Sequence, residues 1–289
     1  MNGVTADNIT EVVNERLERC TNPRLKQLLT SLTRHLHDFA REVKLTEPEL
    51  MDAIAFLTET GQKCDEHRQE FILLSDVLGM TMLTVALGQQ DREGATEASV
   101  LGPFYVQDAA PHDHGEDLAH GASGVPCFVE GRIRGENGTP LAGAVVDVWH
   151  CDDAGFYDVQ YAGGSSACRG RLHADDEGRF HYRTVRPVAY PIPTDGPVGR
   201  LLSATGRHPW RPAHMHFLVQ APGHATLVTQ VFDKFDPYID SDAVFGVRPS
   251  LIGEFVPHES EEFYRGEKIG EPFYTLSVDL VLSADHQKR

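Results

Sequence analysis

The stretch RPAHMHFLVQ, residues 211–220, reads as a β-strand opening at His214. Residues two apart on a strand point to the same face, so His214 and His216 can both reach one metal ion. The pair alone decides little. It fits equally a half-buried strand whose polar face carries two histidines, and imidazole suits Zn, Cu, Fe and Ni alike.

Two further His-x-His pairs have different backbone settings. His35 and His37 fall in a helical stretch, where a two-residue step turns the side chains about 200° apart, so they cannot chelate one ion. His112 and His114 fall in PHDHGED, a polar stretch without strand pattern that reads as a flexible loop.

Around residues 214–220 the chain from about Gly102 onward is a series of short β-rich runs. They cover Cys127–Arg134, Ala144–His150, Gly178–Arg183, Thr226–Phe232 and Phe273–Leu282, with turn signals such as Glu136-Asn137-Gly138 and Asp175-Asp176-Glu177-Gly178 between them. Short strands without alternating helices imply an antiparallel β-sandwich rather than a βαβ fold. Upstream the pattern is helical. Leu25, Leu28, Leu29, Leu32, Leu36 and Phe39 form an apolar stripe behind Asn22-Pro23, a second helix starts near Thr46 with Glu49 as capping-box acid, and a third runs from about His67 to Gly88. The stretch before Cys20 is a candidate fourth. The fold class is therefore α+β: a helical region over residues 1–101, and a β-sandwich over 102–289. The apolar stripes suit a helical region that covers the sandwich or joins subunits.

Composition sets outer limits. With 289 residues and 40% hydrophobic content the chain can bury a full core. A formal net charge of −17 disfavours nucleic acid and anionic membrane surfaces as partners. The first twenty residues lack a signal-peptide pattern, and no apolar run approaches the roughly 18 residues of a membrane span. Cys20, Cys64, Cys127, Cys151 and Cys168 are odd in number and show no CxxC spacing, so reduced cysteines and a cytoplasmic protein are expected.

The remaining ligands must decide the metal. No downstream carboxylate obviously completes a two-His-one-carboxylate triad. Tyr157 lies in WHCDDAGFYD just after a strand, and Tyr190 lies in RPVAYPIP between prolines that hold the backbone extended. Taken singly, each tyrosine reads as a packing residue with a wet hydroxyl.

Read together, LGPFY, DVWHCDDAGFYD, RPVAYPIP and GRHPWRPAHMHF, in this order after a helical region, resemble the intradiol ring-cleaving dioxygenases, the catechol 1,2-dioxygenase family. The resemblance covers nearly the whole chain. It implies one non-haem ferric ion per subunit, held by Tyr157, Tyr190, His214 and His216, with Tyr190 and His216 axial. It further implies a Tyr190 that leaves the metal and accepts a substrate proton, with Arg211 and Gln230 beside the substrate stabilising developing charge. Dioxygen would split the bond between the two hydroxylated carbons. The helical region would form a homodimer interface, with a phospholipid in a tunnel between subunits in some members.

Within the family the chain looks closest to the hydroxyquinol 1,2-dioxygenases. This likeness rests on Leu73 and Asp76 in FILLSDVLG, on Val100, Leu101, Gly102, Pro103 and Phe104, on Ile192 and Pro193, and on Val244. These positions imply a pocket for 1,2,4-trihydroxybenzene, with Asp76 accepting from its extra hydroxyl and 3-hydroxy-cis,cis-muconate, or its tautomer maleylacetate, as product. Catechol or chlorocatechol cleavage is the rival within the same chemistry. A zinc hydrolase using His214, His216 and either His150 or His173 is a second rival. A non-enzymatic β-sandwich binding module is a third.

Overall fold

The computed structural model describes residues 3–66, 68–89, 94–163 and 166–285, and the chain divides into two compact units, Met1–Glu59 and Thr60–Arg289. The first contains α1 (Ile9–Leu17), α2 (Pro23–Val43) and the start of α3 (Glu47–Gln62). The Asn22 side chain accepts from the Leu25 N–H at 3.0 Å, and Pro23 occupies the first helical position, where its missing N–H costs nothing. Thr46 and Glu49 form the expected capping box at α3, with the Thr46 N–H donating to Glu49 Oε2 at 2.9 Å. The stripe Leu25, Leu28, Leu32, Leu36 and Phe39 is exposed in the single chain, each residue by 45–56%.

The second unit begins with a correction. The single helix expected from about His67 to Gly88 is two helices, α4 (Glu70–Val77) and α5 (Met80–Leu87), bent by 74°; His67 itself lies outside the described residues. Gly79 makes the break. It adopts φ 72°, which favours glycine, and its N–H closes α4 on the Asp76 carbonyl at 2.9 Å.

The strands follow as β1 (Pro126–Gly135), β2 (Val145–Trp149), β3 (Arg169–His173), β4 (Arg179–Val185) and β5 (Tyr190–Pro191). After α6 (Pro197–Ala204) come β6 (Trp210–Arg211), β7 (His214–Gln220), β8 (Leu227–Asp233), β9 (Ile252–Gly253), β10 (Val256–His258), β11 (Phe263–Tyr264), β12 (Glu267–Lys268) and β13 (Phe273–Leu282). A five-stranded sheet in the order β3-β2-β7-β8-β9 faces a four-stranded sheet in the order β10-β13-β1-β4, and Val129, Ile133, Val146, Val148, Met215, Phe217, Val219 and Leu276 belong to one buried cluster. The sandwich is present, but its pairing is mixed rather than wholly antiparallel. β1 runs parallel to β13, and β8 to β9, because the chain reaches these partners through long connections and not hairpins. The polar sequence of β3 hid it, since Arg169 and Arg171 obtain acidic partners only in the fold.

Residues 111–117, expected as a flexible loop, lie along β3 and β4, and the contact continues to Leu118. The N–H groups of His112, Gly115 and Leu118 donate to the carbonyls of Arg171, His181 and Arg183 at 2.8–2.9 Å. Among the described residues no single helix is long and apolar enough to cross a membrane.

Gly131, in the middle of β1, lies opposite Phe180 on β4 and Val278 on β13, and a Cβ there would overlap both side chains. Gly131→Ala is therefore expected to destabilise the β-rich unit by about 1–3 kcal/mol, measured by urea unfolding. An unchanged midpoint would show that the Phe180 and Val278 side chains can shift there without strain.

Candidate metal centre

β7 is buried on both faces. Alternation sends Met215, Phe217 and Val219 into the sandwich and turns His214 and His216 the other way. Register fixes their neighbours: His216 pairs with Trp149 on β2 and with Gln230 on β8, and cross-strand partners share a face. Trp149 stacks on the His216 ring, with centroids 4.7 Å apart and planes 14° from parallel.

The tyrosines arrive from two loops. After β2, Asp152 Oδ1 accepts from the N–H groups of Ala154 and Phe156, and Gly155 takes φ 79°, a turn that drives Tyr157 into the sheet's outer face. Tyr190 lies in the two-residue ribbon of β5 and β6, directly opposite Arg211. All four side chains are at least nine-tenths buried.

Their donor atoms converge. The Tyr157 hydroxyl stands 3.3 Å from the Tyr190 hydroxyl and 3.4 Å from His214 Nε2. His214 Nε2 stands 3.5 Å from the Tyr190 hydroxyl and 3.2 Å from His216 Nε2. Donors each about 2.0–2.1 Å from one ion, a usual range for nitrogen and oxygen ligands, stand about 2.9–3.6 Å apart when they are not on opposite sides of it, and the four separations above fall in that range. The spacing fits a shared metal better than it fits strong hydrogen bonds. The His214 Nδ1–H donates to the Pro212 carbonyl at 2.7 Å, so Nε2 carries the lone pair; Arg211 Nη1 stands 3.2 Å from that nitrogen.

Electrostatics agree with such a site. Burial, assisted by the Arg211 charge, brings the His214 pKa down to about 3, and burial also lowers His216, so both imidazoles are neutral. Burial raises both phenols, Tyr157 well above its ordinary value. The protein by itself therefore does not make phenolates here; a bound cation would be needed to draw them out.

Arg211 is 3% exposed and joins the site's parts. It pairs with Asp242 through two bonds of 3.1 and 3.2 Å, donates to Gln230 Oε1 at 2.9 Å, and reaches the Tyr190 hydroxyl at 3.4 Å. Burial opposes its charge, but Asp242 and Tyr190 outweigh burial and raise its pKa; Asp242 is lowered in turn, its own burial outweighed by Arg211. Gln230 Nε2 donates to the Val100 carbonyl at 2.6 Å and stands 3.3 Å from His216 Nδ1.

The other residues singled out in the sequence are spread from the donors to the surface. Gly102, at φ 76°, passes so near His216 that a Cβ would lie 3.2 Å from its Cε1, and Phe104 stacks on Tyr157 with centroids 4.4 Å apart. Val100, Ile192 and Val244 form a buried cluster with Val77 and Leu202, against which Leu73 packs. Asp76 is buried, with Oδ1 lacking a hydrogen-bond partner. Its carboxyl is raised by burial, against the Thr81 hydroxyl and the Arg211 charge. Leu101, Pro103 and Pro193 are exposed.

Sequence reasoning missed Trp149, Asp242 and the buried Asp158–Arg169 pair, whose arginine also donates to the Phe104 carbonyl at 2.8 Å. Asp158 adjoins Tyr157 in the sequence, but no spacing rule points from Arg211 to Asp242. A zinc site with His150 or His173 is not formed. Both His150 nitrogens are engaged, by the Cys151 carbonyl and the Thr184 hydroxyl, and His173 is exposed. Among the described residues no group of three or more His, Cys, Asp or Glu could hold a metal, and the two tyrosine oxygens stand within 3.5 Å of His214 Nε2.

Residues 100–284 match the dioxygenase family model, and residues 22–96 match the model of the catechol dioxygenase N terminus. The chain is 59% identical over 259 residues to a 6-chlorohydroxyquinol 1,2-dioxygenase of Cupriavidus pinatubonensis, covering 89% of this chain and 94% of that protein. It is 46% identical over 278 residues to a hydroxyquinol 1,2-dioxygenase of a Rhizobium species, covering 94% of each. The crystal structure of hydroxyquinol 1,2-dioxygenase from Pseudomonas putida DLL-E4 superposes with a TM-score of 0.90 at 45% identity, over 97% of this chain and 99% of that one.

Asp242→Asn would leave the Arg211 guanidinium buried without its counter-charge. The expected loss is about 3–5 kcal/mol of stability, read from chemical denaturation. A loss below about 1 kcal/mol would show that Tyr190 and Gln230 hold Arg211 without Asp242.

Proposed function

The chain belongs to the intradiol dioxygenase family, and from that membership we propose that it cleaves hydroxyquinol, 1,2,4-trihydroxybenzene, between its two adjacent hydroxylated carbons. Dioxygen is the second substrate, and 3-hydroxy-cis,cis-muconate, which tautomerises to maleylacetate, is the product. The observation that carries this reading is the convergence of two phenol oxygens and two imidazole nitrogens at 3.2–3.5 Å, with the buried Asp76 on the neighbouring helix. The 59% relative named for 6-chlorohydroxyquinol supports a chlorinated hydroxyquinol as a second substrate of the same class.

Tyr157, Tyr190, His214 and His216 would hold one ferric ion. Two hard phenolate donors favour Fe(III), and the chemistry such an ion supplies is Lewis acidity that ionises the diol and prepares its ring for dioxygen. The protein's own part is distinct. With its proton displaced by such an ion, the Tyr190 oxygen would be a base able to receive a proton from a substrate hydroxyl, and Arg211, 3.4 Å away, would steady the negative charge that gathers as the diol ionises. Gln230 keeps the guanidinium aimed by accepting from Nη2, and Phe104 shields the Tyr157 ring from water. Asp76 accepts from the third ring hydroxyl, and substrates without that hydroxyl leave its buried oxygen unpaired.

Residues 1–101 are proposed as a dimerisation and linker domain, from which α4 lends Leu73 and Asp76 to the pocket, and 102–289 as the catalytic domain. The exposed stripe of α2 supports the pairing, because apolar side chains in a continuous row are ordinarily covered.

Two measurements test these readings. The iron-loaded protein is expected to be burgundy from phenolate-to-iron charge transfer, with one iron per chain; an iron-loaded but colourless protein overturns the ligand set. Asp76→Ala is expected to lower the ratio of kcat/KM for hydroxyquinol over catechol about 10- to 100-fold, the worth of a charged hydrogen bond of about 1.5–3 kcal/mol. An unchanged ratio overturns the role given to Asp76.

A further inference from the structure

Helix α4 carries Leu73 and Asp76, and both of its ends are tied to neighbouring segments by charged side chains. At its first residue Glu70, fully buried, accepts from the Val198 N–H in the first turn of α6 at 3.2 Å and from Arg68 Nε at 2.9 Å. At its last residue the Val77 carbonyl is one of those a helix leaves without an internal partner, and it accepts from Arg207 Nη1 at 2.6 Å. A cation at a helix C-terminus is also favoured by the aligned peptide dipoles.

The same guanidinium reaches the opposite wall. Arg207 Nη2 donates to the Ala243 carbonyl at 2.9 Å, next to Val244, and the guanidinium lies 4.9 Å from the centre of the Phe245 ring. Phe245 is half exposed and holds φ 59°, an unfavourable backbone for a bulky residue that here keeps its ring over Arg207. The Arg207 backbone is itself fixed, its N–H donating to the Leu202 carbonyl at the end of α6. One side chain therefore joins α4, the loop of residues 242–245 and α6, while its hydrogen bonds bypass the four metal donors.

We propose that Arg207 is a positioning residue for substrate selection: it holds the Asp76 end of α4 against the Val244 loop and so sets where the Asp76 carboxylate stands in the pocket. The inference rests on the reading that Asp76 meets the third ring hydroxyl. A hydrogen bond weakens steeply when its acceptor moves or tilts, and a displacement of about 1 Å can cost up to about 100-fold in rate. Catechol, which has no group for Asp76, is indifferent to such a shift. Loss of Arg207 therefore erodes the preference for hydroxyquinol while the iron site persists.

The test is the kcat/KM ratio of hydroxyquinol to catechol in the full-length, iron-loaded protein for wild type, Arg207→Met, Arg207→Lys, Asp76→Ala and the Arg207→Met/Asp76→Ala pair. The ratio cancels any loss of active protein, and the charge-transfer spectrum of each variant reports on the donors. Arg207→Met is expected to lower the ratio about tenfold with an unchanged spectrum. Arg207→Lys, which can bond one of the two carbonyls, recovers part of it. In the Asp76→Ala background Arg207→Met has no further effect, because the two residues act on one contact. An unchanged ratio in Arg207→Met, or an equal fall in the Asp76→Ala background, overturns the inference. A wild type without preference, or an Asp76→Ala variant that keeps it, overturns the underlying reading and is seen before any Arg207 variant is compared. Should Arg207→Met fail to fold, Phe245→Ala removes the ring from the guanidinium; a smaller fall in the ratio supports the inference and an unchanged ratio overturns it.

Discussion

Strand β7 has no solvent face along most of its length, and that constraint organises the β-rich unit. Its odd-numbered side chains Met215, Phe217 and Val219 must fill the space between two sheets, so its even-numbered side chains are committed to the opposite face. A one-residue slip would bury both histidines in the sandwich and expel the apolar set. Packing therefore enforces the same register that the donors need. Trp149 and Gln230 inherit their places from it, as cross-strand partners of His216.

The second organising feature is charge. A guanidinium as buried as Arg211 is tolerable only with a counter-ion and satisfied donors, and Asp242, Gln230 and Tyr190 together supply these. Because Gln230 also binds the Val100 carbonyl, the network ties the segment leading into Gly102 and Phe104 to the two central strands. Side chains that would each be costly to bury alone become affordable as one connected set.

What the sequence revealed follows from the range of the interactions involved. His214 and His216 were legible because strand alternation is local, and β1, β7 and β13 because their apolar runs are bounded by turns. Tyr157 and Tyr190 were legible only in their motif contexts; each alone reads as a packing residue. The break at Gly79 escaped because the apolar period continues across it, and β3 escaped because its arginines look solvent-facing until Asp147 and Asp158 meet them. Asp242 and Arg207 act across the tertiary fold, and periodicity carries no information about such partners.

The buried apolar residues beside the donors fall into two clusters, and the division has a functional consequence. One contains Trp149, Tyr157 and Tyr190; the other contains Val77, Val100, Ile192 and Val244 beneath α4. Val100 links the second cluster to the Arg211 network, its side chain packing in that cluster and its carbonyl accepting from Gln230. On the proposed function, substitutions in the α4 cluster would reshape the substrate pocket while His214 and His216 keep their strand register and the Arg211 network stays satisfied. Chemistry and selectivity would then be separately adjustable within one fold.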